Sequence, residues 1–207
     1  MLPLPDTLIW GALGLAVLLC LARQRLSGLM LLGVSLLLAL WLERITPPAL
    51  LFTLVGLVLA WPALLGPGGT MRWRPLALLI LPLAALLITA WQLEALRPEA
   101  GLPHWWWLFA FNNLLFTCVA EEALFRGLIQ QGIAARSRVW LGVLVASLLF
   151  GAAHLAGGPL LMLFAALAGA CYGLAFQLSG RLAVAIVLHF LFNFAHLALF
   201  TYPLANR

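Results

Sequence analysis

Long apolar runs follow one another along this chain, broken at intervals by arginine, proline and glycine. A membrane-crossing helix takes about 20 mostly apolar residues. The punctuation divides the chain into about eight candidate helices, at 7–22, 27–45, 48–65, 75–95, 105–134, 138–155, 159–178 and 181–201. The breaks fall at Arg23-Gln24-Arg25, Thr46-Pro47-Pro48, Gly66-Pro67-Gly68-Gly69, Arg97-Pro98 through Pro103, Ser137-Arg138, Gly157-Gly158-Pro159 and Ser179-Gly180-Arg181. Strict alternation of polar and apolar positions is absent, which argues against a membrane β-barrel. The pattern predicts an all-α polytopic membrane bundle forming one domain over 1–207. Four framing helices occupy 1–104 and a chemically richer core occupies 105–201.

Composition agrees with a chain solvated by lipid. It is 65% hydrophobic and 8% charged, too apolar for a soluble exterior of this size. The net charge is +5 and every basic residue is arginine. The arginines are dispersed without a basic stripe, so nucleic acid is not an expected partner; the bilayer is. Arg23, Arg25, Arg72, Arg74, Arg136, Arg138 and Arg181 fall in odd-numbered loops, against Arg44, Arg97 and Arg207 elsewhere. The positive-inside rule then places both termini outside the cytoplasm. Cys20, Cys118 and Cys171 stand singly in apolar runs and read as small core residues. Asp6 stands where a signal peptide would carry basic residues, so the first run is expected to remain as a span. The absence of lysine points to a GC-rich prokaryotic source, hence an inner-membrane location.

Against this background a few polar residues stand out. Glu121 and Glu122 are adjacent inside the fifth apolar run, where a charge at a helix centre costs about 2.5–3.5 kcal/mol on insertion scales. Arg126 lies four residues after Glu122, so the two read as an intrahelical ion pair. Glu121 points about 100° away. His154 ends the sixth helix after Phe150 and the small residues Gly151, Ala152 and Ala153, which invite close approach of a neighbouring backbone. His189 and Asn193 share a face of the eighth helix. Singly, each piece also fits a structural role: an ion pair, an interhelical hydrogen bond, helix glue. His196 reads as structural and His104 as interfacial, next to the Trp105-Trp106-Trp107 belt. Phe150, Asn112 and Asn113 are candidate cavity-lining residues; Gln130 and Gln131 read as solvated. Counting about 1.5 Å per residue from the arginine-bearing ends puts Glu121, His154 and Asn193 at similar depth. Two imidazoles, a carboxylate and a carboxamide around a buried cavity can bind and activate a water.

Glu121-Glu122-x-x-x-Arg126, Phe150-x-x-x-His154 and His189-x-x-x-Asn193 resemble, in order, the three motifs of the CAAX protease and bacteriocin-processing family, which includes the Ras-converting CAAX endopeptidase. The resemblance covers about 105–201. It implies an α-helical intramembrane endopeptidase with a water-filled site open to the cytoplasm, acting on a membrane-associated peptide or protein tail. It implies Glu121 as general base, His154 as a holder of the attacking water, and His189 and Asn193 as oxyanion or water-site groups. Glu122 and Arg126 would orient Glu121. Zinc, if a divalent metal is used, would take Glu121, His154 and His189. No HExxH helix is present, and the reading leans towards a metal-free glutamate mechanism. No serine-histidine-aspartate set is visible either, since Asp6 is the one aspartate. Two other classes compete: a transporter or channel with a Glu/His proton relay, and a noncatalytic immunity or scaffold protein of the same fold.

Overall fold

The computed structural model describes residues 70–202, together with Ala12 and Leu15. The expected helices at 7–22, 27–45 and 48–65 lie outside the described residues apart from those two positions, as do Cys20 and the C-terminal Arg207. Within 70–202 the architecture is all-helical, with a single isolated bridge between Pro98 and Phe200. Five helical segments carry it: α1 Trp73–Gln92, α2 Trp106–Ala134, α3 Val139–Ala153, α4 Pro159–Ser179 and α5 Leu182–Leu199. They coincide within a few residues with the last five expected from the apolar pattern. Four of them, α1, α2, α4 and α5, are long and apolar enough to cross a membrane, which supports an integral membrane protein. The count of about eight reduces to these four spans plus the shorter α3 among the described residues.

The helices are built inside out relative to a soluble bundle. Leu163, Leu167 and Leu174 of α4 are exposed, while Ala165, Ala168, Gly169, Gly173 and Ala175 face the interior. Lipid is as apolar as leucine, so helices associate through small residues that let backbones meet. Gly151 shows the device at the α3–α4 contact: a Cβ there would stand 2.7 Å from the Met162 carbonyl oxygen.

α2 is not a regular α-helix throughout. It winds as wider π-type turns over Asn113–Cys118 and Ala123–Gln130, flanking an α-helical turn at Val119–Glu122. Such widenings are frequent at functional sites, and this one brackets the paired glutamates. α3 has 15 residues, about 22 Å of helix against a hydrocarbon core of about 30 Å. It is therefore shorter than the other four helices and than a full span. A short turn at Leu155–Gly157 and Gly158, with φ of 93°, reverse the chain into α4, where Pro159 occupies the first helical turn.

The relative direction of the helices is fixed by polar contacts. Arg126 and Gln130 of α2 donate to the carbonyls of Gly169 and Gly173 of α4. Both pairs ascend together, so α2 and α4 run parallel and end at the same side. The Arg72 amide donates to the Leu178 carbonyl, which brings the start of α1 to that side too. At the opposite side the chain after α1 is stitched to the end of α5: Glu99 N to Leu199 O, Gly101 N to Ala198 O, and Thr201 N to Arg97 O, each at 2.9 Å.

Candidate active site

The site grows from the middle of α2. Glu122 is fully buried, and its Oε1 accepts from Arg126 Nη1 at 2.8 Å and from His189 Nδ1 at 2.8 Å. Arg126 is also fully buried. Its Nη2 donates to Gly169 O at 2.7 Å, and its guanidinium lies 4.7 Å from the centre of the Phe150 ring and 5.3 Å from that of Tyr172. A buried charge persists only when paired and hydrogen-bonded, and here one arginine is held by a carboxylate, a carbonyl and two ring faces. Gly169 makes room for it, because a Cβ there would meet Nη2 at 3.0 Å and Phe150 at 3.1 Å.

His189 is fixed from two directions. Nδ1 is engaged by Glu122, and the ring stacks on Tyr172 with centroids 4.6 Å apart and planes 14° from parallel. Since a carboxylate accepts, Nδ1 carries the proton and Nε2 points the other way. Nε2 stands 3.9 Å from Glu121 Oε2, too far for a direct hydrogen bond. Glu121 differs from its neighbour in exposure, at 20% for the side chain against 0% for Glu122. Its Oε2 is itself buried and has no partner.

His154 caps the end of α3. Its Nδ1 donates to Phe150 O at 2.8 Å; a carbonyl only accepts, so Nε2 is the nitrogen left for chemistry. Asn193 Nδ2 reaches Asn113 Oδ1 at 3.3 Å, beside the Cys118 thiol. His154, His189 and Asn193 line one cavity of about 580 Å³, with Phe150, Tyr172 and His196 also on its wall.

The residues singled out from sequence are thus largely drawn together, with four adjustments. Glu121 is not on the cavity wall but is reached past His189. Asn112 is exposed, and Asn113 supports Asn193 instead of lining the cavity. Gln130, expected to be solvated, is buried and bonded to Gly173 O at 3.0 Å, because α4 lies over that part of α2. The set Glu121, His154 and His189 is not drawn into one ligand group: among the described residues no three His, Cys, Asp or Glu side chains are. Three contributors were missed. Tyr172, Gly169 and Gly173 sit on α4, which carries none of the three motifs, and a tyrosine among small residues was the one signal available.

The family comparison fits this geometry. Residues 103–195 match the family described as type II CAAX prenyl endopeptidase Rce1-like. That bears out the resemblance drawn from the three motifs, over the segment that carries the site. No curated protein and no solved structure matches the chain.

Proposed function

We propose that this protein is an intramembrane endopeptidase in which Glu121 activates a water held against His189. The observation that carries the reading is the buried, unpartnered Glu121 Oε2 standing 3.9 Å from the Nε2 of a histidine that is itself clamped by Glu122 and Tyr172. A water bridging that gap has a carboxylate to take its proton, within the reach general-base catalysis needs. Its oxygen attacks the peptide carbonyl, and the carbonyl electron pair moves onto oxygen. Asn193 Nδ2 is an amide donor for that oxyanion, and His154 Nε2 is a second contact for the water or the oxyanion. Collapse of the tetrahedral adduct breaks the C–N bond, and Glu121 returns its proton to the departing amine. Glu122 and Arg126 act as positioning residues through His189 and the turn that carries Glu121. Membership of residues 103–195 in an endopeptidase family supports the same reaction class.

The proton-relay alternative calls for a continuous polar path. Instead, beyond His189 the polar groups of α2, namely Glu122, Arg126 and Gln130, are at most 1% exposed. The cavity wall is mostly apolar, with Leu86, Leu161, Phe164 and Phe192, which suits a membrane-associated peptide.

The test is cleavage of a peptide library by purified protein, with wild type and Glu121→Gln side by side. The expected result is cleavage by wild type and a loss of about 10²–10⁴-fold in the variant. Equal cleavage by both would remove Glu121 as the base. Cleavage by neither would favour the noncatalytic scaffold reading.

A further inference from the structure

Behind the cavity wall, α2 and α5 meet through three polar side chains. Asn113 Oδ1 accepts from Asn193 Nδ2 at 3.3 Å and from the Cys118 thiol, also at 3.3 Å. The same Nδ2 stands 3.9 Å from Cys118 Sγ. Cys118 is fully buried, while Asn113 and Asn193 are half-buried. Asn193 lies on the cavity wall; Asn113 and Cys118 do not. The winding of α2 brings its two members together. Residues five apart on a regular α-helix point about 140° away from one another. Backbone bonds of a π-type turn run between residues five apart, so such residues stack. The turn at Asn113–Cys118 begins on one member of the pair and ends on the other. Regular α-helical winding there would turn one of the two away from Asn193.

Two facing carboxamides can pair either way round, since each has an oxygen that accepts and an NH2 that donates. Among the described residues, neither amide has a hydrogen-bond partner beyond this cluster. The thiol breaks the tie. It has one proton to give and its sulfur is a weak acceptor, so it is served by the oxygen of Asn113 and not by the NH2. That oxygen has two lone pairs and takes both donors. With its oxygen on Cys118, Asn113 presents an acceptor to α5, and Asn193 answers with Nδ2. One hydrogen of Nδ2 is thereby anchored, and the second is left over for chemistry. Turned the other way round, Asn193 would put its carbonyl oxygen where Nδ2 stands, and an acceptor gives a developing oxyanion no hydrogen bond.

We infer that Asn113 and Cys118 are positioning residues that fix which way round the Asn193 carboxamide stands, so that the cavity is offered an N–H donor at a set place. This rests on the hydrolytic reading for its consequence in cleavage but not for the orientation itself.

Two readouts test it in the full chain in detergent, on a parent carrying Cys20→Ala and Cys171→Ala so that Cys118 is the one thiol left. The first is the infrared S–H stretch of Cys118, which does not depend on turnover. A donating thiol absorbs at lower frequency than a free one. Asn113→Leu takes away the acceptor and should move the band up; Asn193→Leu removes the competing donor and should move it down. A band unmoved in either variant overturns the inference. The second readout is steady-state cleavage of a peptide found in the library screen. Asn113→Leu should lower kcat about tenfold with KM unchanged, less than the roughly 10²–10³ of losing an oxyanion donor outright. Asn113→Asp keeps an acceptor for both Asn193 and Cys118 and should hold kcat near that of the parent. Cys118→Ala leaves the two orientations unbiased, so about half the molecules are competent and kcat should fall about twofold. Equal losses in Asn113→Leu and Asn113→Asp, a change in KM alone, or an unchanged kcat in Cys118→Ala would each overturn the positioning role. A parent that cleaves nothing while both bands shift removes the hydrolytic reading and leaves the orientation of Asn193 standing.

Discussion

On one side of α2, Glu122 meets Arg126 and His189 at 2.8 Å each, and Glu122 and Arg126 are fully buried. One residue earlier, Glu121 has a fifth of its side chain exposed, and its Oε2 faces an imidazole nitrogen across 3.9 Å; Oε2 of both glutamates is buried without a hydrogen bond, but Oε1 of Glu122 takes two. The two carboxylates have the same chemistry and the same membrane depth. What separates them is about 100° of helix rotation and the neighbour each one meets: Arg126 and His189 Nδ1 for Glu122, His189 Nε2 for Glu121. A paired, dry carboxylate is a structural anchor; one whose nearest imidazole stands just beyond hydrogen-bond distance is available for proton transfer. The anchor also serves the reactive side, since His189 spans both glutamates.

The largest effects come from exchanging the two roles. Glu121→Gln keeps the shape and should abolish most cleavage, by the 10²–10⁴-fold given above, with no fall in the denaturation midpoint measured in detergent. Glu122→Gln should do the reverse in stability. It leaves Arg126 buried without its counter-ion, which costs about 3–5 kcal/mol, read as a lower midpoint. Matching midpoints for the two variants would erase the distinction drawn here. Next in size is a double replacement, Glu122→Leu with Arg126→Met, compared with each single change. A buried pair replaced by apolar groups is often close to neutral, whereas breaking it is not, so the double variant should recover about 1–3 kcal/mol relative to either single one. Additive losses would mean that the pair is not the unit of stability.

The fold of residues 70–202 was legible because lipid forces a simple code: apolar runs of helical length between Arg, Pro and Gly. The helix bounds follow from it closely, down to His154 at the end of α3. The site was legible where a residue was expensive for its surroundings, as with Glu121, Glu122, Arg126, His154, His189 and Asn193. It was illegible where the contribution comes from a residue that costs nothing in a membrane helix. Gly169 and Gly173 look like ordinary packing glycines, yet their carbonyls take the second-helix ends of the Arg126 and Gln130 bonds. The π-type turns of α2 carry no compositional mark. Gln130 was misread because its distance from the helix end suggested water, and single-helix reasoning does not see α4 lying across it.

Gly169→Ala is the next step down. The added methyl would press on Arg126 Nη2 at 3.0 Å and on Phe150 at 3.1 Å, and overpacking of this kind costs about 1–3 kcal/mol. Because Arg126 holds Glu122 and Glu122 holds His189, the activity should fall with the midpoint. A stability loss with cleavage unchanged would show that the closed network does not position the open one.

The smallest expected effect is the most discriminating about what kind of solvent the closed side sees. Gln130 Nε2 donates to Gly173 O at 3.0 Å, while its Oε1 is buried without a partner. Interhelical hydrogen bonds in membrane proteins average about 0.6 kcal/mol and reach about 2 in model peptides. Gln130→Leu removes that bond but also removes the orphaned acceptor, whose burial is itself unfavourable. The two terms oppose each other, so the midpoint should move little and cleavage hardly at all, nine residues along the helix from Glu121. Gln130→Glu provides the contrast: it keeps the size, puts a second carboxylate one turn from the Glu122–Arg126 pair, and replaces the donor by an acceptor facing a carbonyl. If the closed side is dry, the glutamate variant is far less stable than the leucine variant. If the two are alike, water reaches Gln130, and the contrast between a sealed anchor and an open reactive carboxylate loses its physical basis.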